Sequence, residues 1–263
     1  MNRIALFALG TFAATAVNAG VYVEMVDQDL TTNQSELAQK MYVQGGLGRF
    51  VDEEGRATLI KNGTLYIVDD AEKSYVIFDK AAMEQLAQKL NAGIERMKEQ
   101  LAKLPPDQRA QMEQALAGQI PGLNGETEKA TVEVVDTGKS DKVEGRACRL
   151  WDMKRNGQLD EQLCVVPYSA LPGNEDFQQI FANFAKVFEE MAKSVPMLAG
   201  DMDREFAAQA TVKGFPVRTR AYEEDGKLGD RAQIMKVWRE EKMPASLFEV
   251  PAGYKQTQVK LGE

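Results

Sequence analysis

Apolar and polar residues alternate from Val21 onward. Val21, Val23 and Met25 are interleaved with Tyr22 and Glu24, the period of two that a half-buried strand requires. Thr31 to Ser35 is a polar turn, and Lys40 to Gln44 resumes the strand pattern. Gly45, Gly46 and Gly48 mark a bend or bulge before Arg49-Phe50-Val51. Ala57 to Lys61 and Thr64 to Val68 flank Asn62-Gly63, the residues of a tight hairpin turn. Ser74 to Phe78 is a further strand, so the chain opens as an antiparallel meander.

The period then changes. Met83, Leu86, Leu90, Ile94, Met97, Leu101 and Leu104 recur at steps of three and four, which predicts one apolar stripe along a charged helix. Pro105-Pro106 ends it. A second helix follows from Asp107 to Ala117, with Met112 and Leu116 turned inward, and Gly118 to Gly125 is a loop. Strand character returns at Ala130 to Thr137 and in a hairpin over about 145–166. Asn174 caps a long helix reaching Val195. Phe177, Phe181, Phe184, Phe188 and Met191 line one face of it. So many large rings on one stripe must cover a sheet or an apolar cavity. Phe215 to Tyr222 and Asp230 to Arg239 flank Asp225-Gly226 as a last hairpin.

The N-terminus adds a compartment. Met1-Asn2-Arg3 is a basic head, Ile4 to Ala16 is apolar, and Val17-Asn18-Ala19 sets small residues where a signal peptidase reads. Residues 1–19 are therefore expected to be a signal peptide cleaved between Ala19 and Gly20, leaving 20–263 as a single domain in the periplasm. The apolar run of about 13 residues is shorter than the roughly 20 that span a bilayer. Gly20 in place of a cysteine predicts a chain that is not lipidated and not membrane-anchored. The net charge of −8 is broken by no basic cluster. Such a chain repels phosphate, which argues against nucleic acid and against anionic membrane surfaces.

The chain has no histidine. Ser-His-Asp and Cys-His catalysis and His-ligated metals are thereby excluded. Its two cysteines, Cys148 and Cys164, are expected to form a structural disulfide in an exported protein. Arg155-Asn156-Gly157 suits a three-residue hairpin loop that sets 148 opposite 164. The closed loop of about 15 residues is worth roughly 3 kcal/mol. The redox alternative wants Cys-x-x-Cys, which is absent.

Acidic clusters occur at Asp27/Asp29, Asp52-Glu53-Glu54, Asp69-Asp70, Asp201/Asp203 and Glu223-Glu224-Asp225. Paired carboxylates can run glycoside hydrolysis and clustered ones can hold calcium, but these sit at predicted turns and match no calcium loop. Phosphate-loop and dinucleotide fingerprints are absent. No catalytic residue, metal ligand or cofactor is predicted.

Three stretches carry a resemblance. They are Tyr42-Val43-Gln44-Gly45 through Leu65-Tyr66-Ile67-Val68-Asp69 to Lys73-Ser74-Tyr75, Val143-Glu144-Gly145-Arg146-Ala147-Cys148 with Trp151, and Leu247-Phe248-Glu249-Val250-Pro251-Ala252-Gly253-Tyr254. In this order the chain resembles a bacterial family of exported domains of unknown function, related in fold to the LolA/LolB lipoprotein carriers. The resemblance implies an α+β fold: a strongly curved antiparallel half-barrel with helical insertions, here at about 81–117 and 174–195, on its concave face. In the carrier relatives that concavity holds acyl chains, and the phenylalanine stripe over such a curved sheet points to a non-enzymatic binding or carrier module for a lipid or other apolar ligand. The alternatives are an envelope structural or interaction protein with a filled core and a protein partner, and a carboxylate-based hydrolase.

Overall fold

Val21 and Val23 are fully buried, and Met25 nearly so, in a strand that runs Gly20–Asp29 (β1). The computed structural model describes residues 19–117, 131–194 and 211–258. The expected signal peptide up to Asn18, the loop at 118–125, Val195 and the Asp201/Asp203 pair lie outside the described residues.

From β1 the meander continues as predicted through β2 (Ser35–Gln44), β3 (Leu47–Asp52), β4 (Ala57–Lys61), β5 (Thr64–Asp69) and β6 (Ser74–Phe78). Gly45-Gly46 is the turn of the β2–β3 hairpin, with Gln44 opposite Leu47, not a bulge within one strand. Two helices follow, α1 (Lys80–Ala102) and α2 (Pro106–Ala117). Then come β7 (Val132–Val143), β8 (Arg146–Arg155), β9 (Gln158–Pro167), α3 (Asn174–Ser194), β10 (Gly214–Ala221), β11 (Arg231–Glu241) and a short β12 (Lys255–Thr257).

All twelve described strands form one unclosed sheet in the order β12-β6-β5-β4-β3-β2-β1-β11-β10-β9-β8-β7. Every pairing is antiparallel except β12 with β6. β1 is the joint: its own meander lies to one side, and on the other it pairs with β11 along its whole length, Gly20 opposite Glu241 and Asp29 opposite Arg231. The ladder is interrupted by bulges beside Glu24/Met25, Met25/Val26, Pro216/Arg218, Met153/Lys154 and Asp136/Ser140. Each adds local twist and bends the strand that carries it.

In the meander the two faces have separate covers. Tyr22, Tyr42, Ala57, Leu59 and Val68 point to one face, where the C-terminal segment lays Met243, Phe248, Val250 and Tyr254 over them. Val21, Val23, Met41, Val43 and Ile60 share the main core with Phe177 and Ile180 of α3. Gly48 allows this approach. A Cβ there would lie 2.9 Å from Ile180 Cγ1 and 2.8 Å from Phe50 Cε2, closer than carbon atoms pack.

The α1 stripe is buried at Met83, Leu86 and Leu101 and half-buried at Leu90, Ile94 and Met97. Asp79 caps the helix by accepting from the Ala82 N–H at 2.8 Å. Met112 of α2 is 48 % exposed and does not face inward, contrary to its periodicity. The side chain of Leu116 lies outside the described residues.

The disulfide is present, with Cys148 and Cys164 Cα atoms 5.3 Å apart, but its register differs from expectation. Asn156 and Gly157, with φ of 52° and 78°, make a two-residue turn that sets Arg155 opposite Gln158. The bulge at Met153/Lys154 then moves the ladder again, so Cys164 faces Leu150 and Cys148 lies one diagonal step away. Diagonal side chains on one face of an antiparallel pair come close enough to bridge.

The β1–β2 turn hangs on one carboxylate. Asp29 Oδ1 accepts from Thr31 Oγ1 at 2.6 Å, Thr31 N–H at 2.8 Å and Thr32 N–H at 2.9 Å. The Thr31 hydroxyl, with the two backbone N–H groups, lowers the Asp29 pKa to about 2. A depressed folded-state pKa stabilises above the unfolded value of 3.8, and that stability is lost as pH falls toward 2. We expect Asp29→Asn to flatten the acid dependence of the urea midpoint between about pH 4 and pH 2. An identical slope in the variant would show the turn contributes nothing.

Candidate functional site

α3 is amphipathic, and its two halves meet the sheet differently. Phe177 is 0 % and Ile180 1 % exposed. The Phe177 ring centroid lies 5.2 Å from Phe215, edge-on, 5.2 Å from Phe181 and 4.9 Å from Trp238. Trp238 Nε1 donates to the Pro172 carbonyl at 2.8 Å, so this aromatic group carries no orphaned donor. One turn further on, Phe181, Ala182 and Ala185 border a cavity of about 1140 Å³. Across it stand Met25 of β1, Met41 of β2, Leu163 and Val165 of β9, and Phe215 of β10.

Of the predicted stripe, Phe177 is core, Phe181 lines the cavity and Phe184 packs half-buried against the main core. The side chains of Phe188 and Met191 lie outside the described residues. Ile180 belongs to the buried face but is missing from a stripe drawn only through the rings. The β residues of the cavity wall were also not foreseen. Their signal is the alternation within β9, where Leu163 and Val165 point to one side and Cys164 to the other. Asn174 does not cap the backbone of α3. Its carboxamide donates to the Leu171 carbonyl at 3.0 Å and its oxygen accepts from Gln178 at 2.6 Å.

The acidic clusters have local work. Asp52 accepts from the Glu54 and Arg56 N–H groups at 3.0 and 2.9 Å and from Arg56 Nε at 2.8 Å. Burial pushes the Asp52 carboxyl up, but the Arg56 bonds outweigh it and hold the pKa below the usual range. Asp69 accepts from the Glu72 N–H at 2.9 Å, and the Lys227 side chain and backbone hold Asp225 low. No group of three or more Cys, Asp or Glu among the described residues could hold a metal ion. No described helix is long and apolar enough to cross a membrane.

No curated protein matches the chain. Among solved structures it is similar to an uncharacterized conserved protein from Thermus thermophilus, at 8 % identity and TM-score 0.43, over 92 % of each chain. It is similar to MucB at 12 % identity and TM-score 0.34, over 91 % of this chain and 60 % of MucB. It is also similar to the LolA superfamily protein NE2245 from Nitrosomonas europaea, at 8 % identity and TM-score 0.26, over 89 % of this chain and 91 % of that one. Residues 81–254 match the domain of unknown function DUF4412. The stretches at Val143–Trp151 and Leu247–Tyr254 fall within that match, and the one at Tyr42–Tyr75 precedes it. The chain belongs to the DUF4412 family.

Proposed function

We propose that this chain is a non-enzymatic binding or carrier module of the periplasm, whose cavity between α3 and the sheet takes a lipid or another apolar ligand. The observation that carries this reading is the cavity itself. At about 1140 Å³ it has the size of small-molecule sites, which run to roughly 1,000 Å³. Its principal walls are Met, Leu, Val and Phe side chains. Thioether chains adapt to ligands of irregular shape. In this reading the bulged sheet is a half-barrel, and α3 stands on its concave side with one end packed and the other open.

The competing reading, an envelope interaction protein with a filled core, draws on that packed end. Phe177 and Ile180 are buried in the main core. The two readings separate at Ala182 and Ala185, which are exposed on the helix and border the cavity. A carrier loses its site when they are enlarged, whereas a filled-core protein is indifferent.

The test is direct. Native mass spectrometry of protein taken from periplasm is expected to show a co-purifying apolar molecule. Purified protein is expected to take up N-phenyl-1-naphthylamine, a neutral fluorescent probe. Ala182→Trp is expected to weaken that uptake about tenfold or more, a loss of about 1.4 kcal/mol, with little change in melting temperature. No co-purifying molecule together with no probe uptake would sink the reading.

A further inference from the structure

Methionine is scattered along the chain, and no two stand in a Met-x-x-Met pair. The sheet brings three of them together. Met25 of β1 lies directly opposite Met235 of β11. Met41 of β2 lies opposite Val23, two residues along β1 from Met25. The three therefore sit on the consecutive strands β2, β1 and β11. All are buried, and they share the main core with Phe177 and Ile180 of α3. On one face of an antiparallel pair, opposite side chains have Cβ atoms about 5 Å apart and diagonal ones about 7–8 Å apart, within reach of long side chains. Unbranched thioether chains are adaptable enough to turn their sulfurs toward one point above Met25. Both ladders of β1 also slip beside this residue, between Glu24 and Met25 toward β11 and between Met25 and Val26 toward β2. A bulge re-aims the side chain it carries and recurs beside functional sites.

The chemistry of the donors selects the ion. Thioethers are soft, neutral ligands that suit cuprous copper and hold calcium or magnesium poorly. They need no deprotonation, so such a site can exist in a chain without histidine whose two cysteines are joined in a disulfide. Met25 and Met41 border the cavity, which gives an ion a way in. A monovalent ion brings the smallest charge to be desolvated, and the cavity leaves room for water on its open side.

We propose that Met25, Met41 and Met235 form a three-thioether site for one monovalent soft metal ion of the cuprous class. The site does not depend on the apolar-ligand reading of the cavity. Three residues far apart in sequence become ligands only because β11 closes against β1 and sets Met235 beside Met25.

Silver(I) is the probe, because it matches cuprous copper in charge and softness and is not oxidised in air. Native mass spectrometry of the protein with silver nitrate in chloride-free buffer is expected to show one bound ion. Its affinity by calorimetry is expected to hold within about twofold between about pH 7 and pH 4, since a thioether has no proton to lose. In the NMR spectrum of methyl-labelled methionine, silver is expected to shift Met25, Met41 and Met235 and to leave the exposed Met112 in place. Met25→Leu conserves side-chain volume, a change that cores tolerate. It is expected to weaken silver binding about tenfold or more. Met41→Leu is expected to do the same, and Met112→Leu to change nothing. The wild-type methyl spectrum decides the matter even if a variant fails to fold. Shifts confined to other methionines, no silver binding at all, or equal affinity in Met25→Leu and Met41→Leu would overturn the site. An affinity that falls severalfold toward the lower pH would overturn it too, by assigning the ion to carboxylates. Protein that binds silver but takes up no N-phenyl-1-naphthylamine would count against the apolar-ligand reading and leave the metal site standing.

Discussion

Phe177→Ala is expected to destabilise the protein by about 3–5 kcal/mol, the range for truncating a fully buried ring. The side chain has no exposed surface, and Phe181, Phe215 and Trp238 surround it at centroid distances of 4.9 to 5.2 Å. Those neighbours come from three separate parts of the chain: α3 itself, β10 and β11. The ring therefore joins the helix to strands that are held beside β1, and no single neighbour can move in to fill the void. A domain is stable by roughly 5–15 kcal/mol, so this one change removes a large share. The melting temperature is expected to fall by roughly 10 °C or more. Near-ultraviolet circular dichroism is expected to weaken as well, because Trp238 loses a ring 4.9 Å away. Phe181→Ala supplies the contrast. Phe181 is half-buried at the cavity, so its truncation costs less stability and more probe uptake. A Phe177→Ala variant that melts within a degree or two of wild type would show that α3 is not anchored through this ring.

Much of this architecture is legible from local pattern. The meander from β1 to β6 follows from alternation within each strand and from glycine-containing turns between them, both of which are short-range. The break between α1 and α2 follows from Pro105-Pro106, and the disulfide follows from a pair of cysteines in a chain expected to be exported. What could not be read depends on strands distant in sequence. The β1–β11 pairing joins segments some two hundred residues apart, and no local signal names the partner. The disulfide register turned on a bulge at Met153/Lys154. Such a bulge answers to the twist of neighbouring strands and not to residue type. The cavity is of the same kind. Met25, Met41, Leu163, Val165 and Phe215 each read as an ordinary strand residue, and only the sheet order brings them to one wall. Met112 shows the converse. Its spacing fits a buried stripe, but α2 presents that residue to solvent.

Replacing both cysteines by alanine is expected to cost about 3 kcal/mol, the chain-entropy worth of a closed loop of about 15 residues. That lowers the melting temperature by roughly 6–12 °C for a domain of this size. Cys148 and Cys164 are both buried, so the paired change is preferable to a single one, which would leave a buried thiol. The consequence for binding is specific. Cys164 lies in the main core, and its neighbours Leu163 and Val165 line the cavity. The bridge thus fixes the stretch of β9 that borders the cavity. Without it, β8 and β9 are held by their ladder, the Asn156-Gly157 turn and the Gln162–Asp152 and Arg155–Asp160 contacts, and the wall loses definition. Probe affinity is therefore expected to fall along with stability, at temperatures where the variant is still folded. Denatured, unreduced wild-type protein should titrate with no free thiol, and two free thiols would refute the bridge. A double-alanine variant with an unchanged melting temperature would mean that the unfolded chain is not constrained by this loop. One that melts earlier but binds the probe as tightly would mean that β9 keeps its place through its neighbours, β8 and β10, alone.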